Sequence, residues 1–156
     1  MNTIVSDAKA EFLRAKSRLE ADINNTPDDK IEWAPSPAAR TPIHLVAHGA
    51  MGTQLLHGLL DGKPFPFKNV NEMDASNRVA EKDYKTREQA LNLLNQASTE
   101  YVRWLDALTP EQVDSIVDMP FGAIPMGVAI TFAADHLRSH ASQLEYIQTI
   151  YGDYSF

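Results

Sequence analysis

The chain contains no cysteine. Disulfides, thiolate zinc sites and a cysteine nucleophile are therefore excluded, and any metal must be held through nitrogen and oxygen. Positive charge is also short: 14 Lys and Arg stand against 21 Asp and Glu, for a net charge of -7. That is the wrong sign for meeting phosphate backbones, so nucleic acid is not an expected partner. No apolar run approaches the ~20 residues of a membrane span, and no membrane partner is expected. Met1 to Lys9 lacks the basic and apolar regions of a signal peptide, which makes the cytoplasm the expected location. Glycine is scarce, at 7 of 156 residues, and no repeat or low-complexity tract is present. With 44% hydrophobic and 22% charged residues, the composition is that of a soluble globular protein. The length suits a single domain over 1–156.

Convincing strand patterns are missing too, and helical periodicity takes their place. Ala8, Phe12, Ala15, Leu19 and Ile23 predict a first amphipathic helix from Ser6 to about Ile23. Asn24 to Asp29 stop it, with Thr26 and Pro27 reading as cap and first position of a short turn ending near Trp33. Ala34-Pro35-Ser36-Pro37 cannot continue a helix and reads as a linker. Thr41-Pro42 restarts the chain with the same signature, for a second helix running to Leu60 before Asp61-Gly62. A long connection from Lys63 follows, ending in a short helix from Asp74 to Lys82. The capping box Thr86-Arg-Glu-Gln89 opens a third long helix bearing Leu91, Leu94, Ala97, Tyr101, Leu105 and Leu108. Thr109 to Gln112 repeats the box for a brief turn. Ser115 to Gly127 mixes β-formers with prolines and glycines, as irregular chain or at most a small hairpin. A fourth helix runs from Pro125 or Met126 to Tyr151, stopped by Gly152. The fold class is all-α: a four-helix bundle with a long connection between helices two and three.

Histidines interrupt the apolar stripes of this pattern. On helix four, Val128, Phe132, His136, His140, Leu144 and Ile147 follow spacings of four and three, so His136 and His140 point the same way. On helix two, Leu45, His48, Gly52, Leu55 and Leu59 form one ridge, with His44 a turn earlier. His57 lies beside that ridge and reads as a solvated surface residue. A buried ring without a partner costs about 1 to 3 kcal/mol, and a metal ion is one partner that removes the cost. Neutral imidazole suits Zn, Ni, Cu or Fe, and three nitrogens from two facing helices leave other positions open. Neutral rings are required, so affinity is expected to fall below about pH 6.5. The competing reading is that these are core histidines satisfied by Asp135, Ser139, Ser142, Gln143 or a buried water. The Glu-x-x-His di-iron signature and His-Glu-x-x-His are both absent. Asp135 sits about 100° round the helix from His136 and is poorly placed to orient it.

These residues resemble the DinB/YfiT-like superfamily of metal-binding four-helix bundles. The resemblance rests on Trp33-x-Pro35 before a capped helix, Leu45-Val-Ala-His48, the Met73 to Asn77 stretch, and His136-x-x-x-His140-x-x-Gln143. It implies a metal triad at His48, His136 and His140, accompanied by Gln143. His44 is extra, as a fourth ligand, a donor behind the ligands or a partly exposed residue at the helix start. The resemblance also implies a homodimer, and a metal-dependent thiol transferase, isomerase or hydrolase acting on a small molecule, with a low-molecular-weight thiol as one candidate cofactor. The other class of function is a non-catalytic metal-binding or structural bundle. No second catalytic group, such as a carboxylate three residues from a ligand, stands out beside the triad in the sequence.

Overall fold

In the computed structural model, which describes residues 3–155, four long helices form the frame: α1 (Thr3–Asn25), α2 (Pro42–Leu60), α4 (Arg87–Ala107) and α7 (Phe132–Ile150). The short elements are α3 (Val70–Ala80) with a 3-10 turn at Glu81–Asp83, α5 (Pro110–Val113), β1 (Ile116–Met119), β2 (Gly122–Pro125) and α6 (Met126–Ala129). The expected start signals hold. Thr41 accepts from the His44 amide with Pro42 in the first turn, and Thr86 and Thr109 each close a capping box, with Gln89 and Gln112. Gly62 and Gly152 both take positive φ, 84° and 90°, just beyond the ends of α2 and α7, where a side chain would be strained.

Several boundaries differ from the sequence reading. Thr26 caps nothing; its hydroxyl donates to the Asp22 carbonyl at 2.8 Å and closes α1, and Pro27 to Trp33 is a run of turns rather than a helix. The short helix before α4 begins earlier, at Val70, because Asn69 accepts from the Glu72 amide and starts it. Helix four is broken at Ile130 and Thr131, and Tyr101 donates to the Ile130 carbonyl at 2.6 Å across the break. The break rotates the buried face of α7 onto Ala133, Ala134, Leu137, His140, Ala141, Leu144 and Ile147. Val128 is thereby exposed. Residues 116–125 form the small antiparallel hairpin, Val117 opposite Ile124.

Packing order places the histidines. α1 lies along α7, α2 along α4, and the ring is completed by α2 on α7 and α1 on α4. The first two long helices are thus diagonal to one another, joined by the proline linker. This order makes α2 and α7 neighbours, so the ridge carrying His48 faces the helix carrying His136 and His140. Phe12, Leu19, Ile23, Ile43, Leu94, Leu105, Leu137 and Leu144 are buried in the shared core.

Candidate metal centre

Two glycines on α2 set how closely the helices approach. A methyl group built on Gly49 would lie 3.0 Å from Leu137 Cδ2 and 3.4 Å from Leu19 Cδ2. On Gly52 it would lie 2.1 Å from His136 Nε2, inside the space the imidazole fills. Gly52 is therefore the seat of the His136 ring, and any side chain there displaces it.

His48, His136 and His140 come together at this crossing. Each offers one ring nitrogen such that the three atoms lie within 4.8 Å of one another. Ring centroids are 4.4 Å apart for His136 and His140, 4.7 Å for His48 and His140, and 5.3 Å for His48 and His136. His48 and His140 are buried, and Nε2 of both His136 and His140 is buried with no hydrogen-bond partner among the described residues.

The remaining nitrogens explain the ring orientations. His48 Nδ1 lies 2.8 Å from Glu81 Oε1, and His140 Nδ1 lies 2.8 Å from Gln143 Oε1. Burial alone would raise the Glu81 pKa, but hydrogen bonds from His48 and Arg40, with the Arg40 charge, hold it below the ordinary value. Glu81 is accordingly ionised and can only accept, so His48 donates from Nδ1 and keeps its lone pair on Nε2. Gln143 does the same for His140. Arg40 Nε spans both Glu81 oxygens at 3.0 and 2.8 Å, while its Nη2 reaches Asp74 at 2.7 Å. Hydrogen bonds from Arg40 and Arg78 hold Asp74 down to about 2.

Burial, reinforced by the neighbouring rings, lowers His136 to about 3. His140 falls to about 4, again through burial, with the Gln143 hydrogen bond opposing. Both rings are neutral over the whole physiological range, the form a metal needs. The donor set fits a divalent transition metal: neutral nitrogens, two of them buried and unpartnered, with hydrogen-bonded groups behind two of the rings.

The partners named by the core-histidine reading are mostly engaged elsewhere. Asp135 pairs with Arg138, the Ser139 hydroxyl donates to the Asp135 carbonyl, and Ser142 accepts from Arg18. Gln143 serves one nitrogen of one ring. His44 stands outside the group of three; its Nε2 is buried without a partner, and burial lowers its pKa. His57 corrects the sequence reading: it is half-buried, its ring 5.4 Å from Trp104 and 6.0 Å from Tyr101, with its pKa lowered by burial. Glu81 is the residue that sequence reasoning missed. Its signal was its place seven residues after Asp74, two turns along, with Arg40 the cation both carboxylates share.

An apolar cavity of about 180 Å³ opens on His48 and His136 and is walled by α2, α3, Phe65 of the long connection and Phe121 at the hairpin tip. The expectation that Phe65-Pro-Phe67 lies bare is corrected here, since both rings are half-buried, 5.6 Å apart.

A sequence model of the DinB superfamily matches residues 11–144. No curated protein matches the chain. Among solved structures, YfiT from Bacillus subtilis, described as a probable metal-dependent hydrolase with an unusual four-helix bundle topology, is 14% identical. It superposes with a TM-score of 0.76 over 97% of this chain and 90% of that one. The sibling lethal factor precursor DfsB is 17% identical, with a TM-score of 0.76 over 96% and 97% of the two chains. A mutant of a mycothiol-dependent maleylpyruvate isomerase is 11% identical, with a TM-score of 0.74 over 90% of this chain. The present chain spans only 60% of that isomerase. At these identities the likeness carries the fold.

Proposed function

The chain belongs to the DinB superfamily, and from that premise we propose that His48, His136 and His140 hold one divalent transition metal, Zn or Ni, in the service of a reaction on a small electrophilic substrate. The observation that carries the reading is the convergence of three ring nitrogens within 4.8 Å, at a place where two of the rings have buried, unpartnered Nε2 atoms. When bound, the metal supplies Lewis-acid chemistry, lowering the pKa of a water or a low-molecular-weight thiol. The chain's own residues do the positioning. Glu81, braced by Arg40, fixes the tautomer and plane of His48; Gln143 does so for His140; Gly52 leaves room for His136.

Hydrolysis, isomerisation and thiol transfer all fit this arrangement. The cavity opening on His48 and His136 favours a reaction over a purely structural metal, because a structural site is closed all round. Elemental analysis of protein purified without a nickel column is expected to find one metal per chain, lost in His140→Ala. A wild type that retains none after incubation with Zn or Ni and desalting defeats the reading. Turnover of an electrophile, with or without a thiol, that disappears in the same variant supports the catalytic form. We take the chain as a single domain acting in the cytoplasm as a homodimer, without nucleic acid or membrane as partner. The net charge of -7 supports the nucleic-acid part, the absence of a helix long and apolar enough to cross a membrane among the described residues the membrane part, and family membership the dimer.

A further inference from the structure

We infer that the cavity beside the three histidines takes an uncharged, apolar molecule of about one aromatic ring, lodged with its single polar group toward His48 and His136. The polar end of that orientation rests on the metal reading; the apolar selectivity stands on the wall itself.

The wall is drawn from four separate segments. Leu55, Leu56 and Leu59 come from α2, Phe65 from the long connection, Met73 from α3 and Phe121 from the hairpin tip. Asn77 is the one uncharged polar side chain among them apart from the two rings, and no Asp, Glu, Lys or Arg lines the cavity among the described residues. The charged groups near the centre are turned the other way. Arg40, Glu81 and Arg78 border a different cleft, with Thr41 and His44, and Arg40 and Arg78 are tied to Glu81 and Asp74 by ion pairs. A carboxylate, phosphate or ammonium entering the apolar cavity would lose its hydration and find no counter-charge. An uncharged ring would lose only apolar contact with water and gain it with Leu and Phe.

Size points to the same class of ligand. A dry protein cavity of about 150 Å³ lined by Leu, Ile and Phe accepts benzene. The cavity here, at about 180 Å³, has room for a ring with one short substituent. Its polar features are also asymmetric, with the imidazoles of His48 and His136 set against leucines and phenylalanines. A ring bearing one carbonyl or hydroxyl matches that asymmetry, and Asn77 offers an amide to the same substituent.

The test uses the full chain, both as purified and stripped with a chelator, with fluorine NMR of 4-fluorobenzyl alcohol and 4-fluorobenzoate, and elemental analysis of each sample. The alcohol is expected to bind at least about tenfold more tightly than the benzoate in both samples. Leu56→Asp, which puts a carboxylate in the wall, is expected to weaken the alcohol about tenfold. Phe121→Ala, at an exposed tip where folding is not at stake, is expected to weaken it about threefold. Equal binding of the two probes, or an alcohol indifferent to both substitutions, overturns the inference. Elemental analysis separates the two claims. Metal without selective alcohol binding defeats the cavity inference and leaves the metal reading intact. Selective binding without metal upholds the apolar preference and removes only the metal reading.

Discussion

Two carboxylates are buried in this bundle to nearly the same degree, Glu81 at 2% exposure beside the histidines and Asp22 at 4% near the C-terminal ends of α1 and α7, yet their protons are held oppositely. Glu81 is gripped by Arg40 and His48 and lies below its ordinary pKa despite burial. Asp22 is pushed up to about 6, first by burial and then by the nearby Glu145, with Arg18 offsetting only in part because it is bonded to Glu145. Asp22 Oδ2 has no partner among the described residues, and neither do Gln148 Oε1 and Tyr151 Oη beside it. Unpartnered polar atoms therefore occur in both regions. What separates them is the type of donor: around Glu81 they are neutral imidazole nitrogens converging on one point, with a charged brace behind, whereas around Asp22 they are oxygens with no such brace. A buried carboxylate held ionised at that cost of desolvation marks the region organised for chemistry.

The largest expected effect breaks the first region outright. In wild type, metal supplied at about a hundredfold excess over its Kd should add about 2.7 kcal/mol of stability, about 5 to 10 °C in Tm for a chain of this size. His140→Ala should show no such gain and no stoichiometric metal, with helical circular dichroism preserved by the remaining core. The same metal-dependent rise in Tm in that variant would remove the triad. A smaller effect probes the brace: Glu81→Gln keeps the shape but removes the charge that fixes His48, and metal affinity should fall about 10- to 100-fold by isothermal titration. Gly52→Ala should weaken binding comparably by crowding His136 from its seat; unchanged affinity in both variants would mean that ring placement is set elsewhere.

How much of this was legible in the sequence differs between backbone and brace. Caps are local, and Thr41-Pro42, Thr86 to Gln89 and Gly152 located three helix ends because each signal lies within one turn of its effect. The candidate triad was legible because apolar periodicity shows which face is buried and two of its members share a helix. The break at Ile130 was not, since a helix-period stripe runs through it and the Tyr101 hydroxyl that meets the freed carbonyl comes from another helix. Glu81 was hidden for the same reason: it reaches His48 from 33 residues away, across a connection whose path no local pattern encodes. The diagonal placement of α1 and α2, on which the facing of α2 and α7 depends, is likewise a property of the packed bundle.

The smallest expected effect sharpens the contrast through pH. His136 and His140, lowered to about 3 and 4, bind fewer protons folded than unfolded between those values and 6.5, the unfolded histidine value. In that window the unfolded state is favoured, so the metal-free protein should lose stability as pH falls below about 6.5. Metal binding by these two rings should survive to lower pH than an ordinary histidine pKa suggests, because the folded rings stay neutral there. Asp22 acts with the opposite sign. Its folded pKa of about 6 lies above the unfolded value of about 3.9, so the stability it contributes is complete at low pH and is lost as pH rises through about 6. Asp22→Asn should therefore leave the acid limb unchanged and flatten the loss between about pH 4 and 6, a difference on the order of 2 kcal/mol at pH 7. Exchanging both His136 and His140 for Gln should flatten the acid limb and leave the Asp22 limb in place. Urea melts from pH 3.5 to 8 on metal-free protein read both slopes. If one substitution alters both limbs together, the two buried regions are coupled, and their separation into a site for chemistry and a structural end is lost.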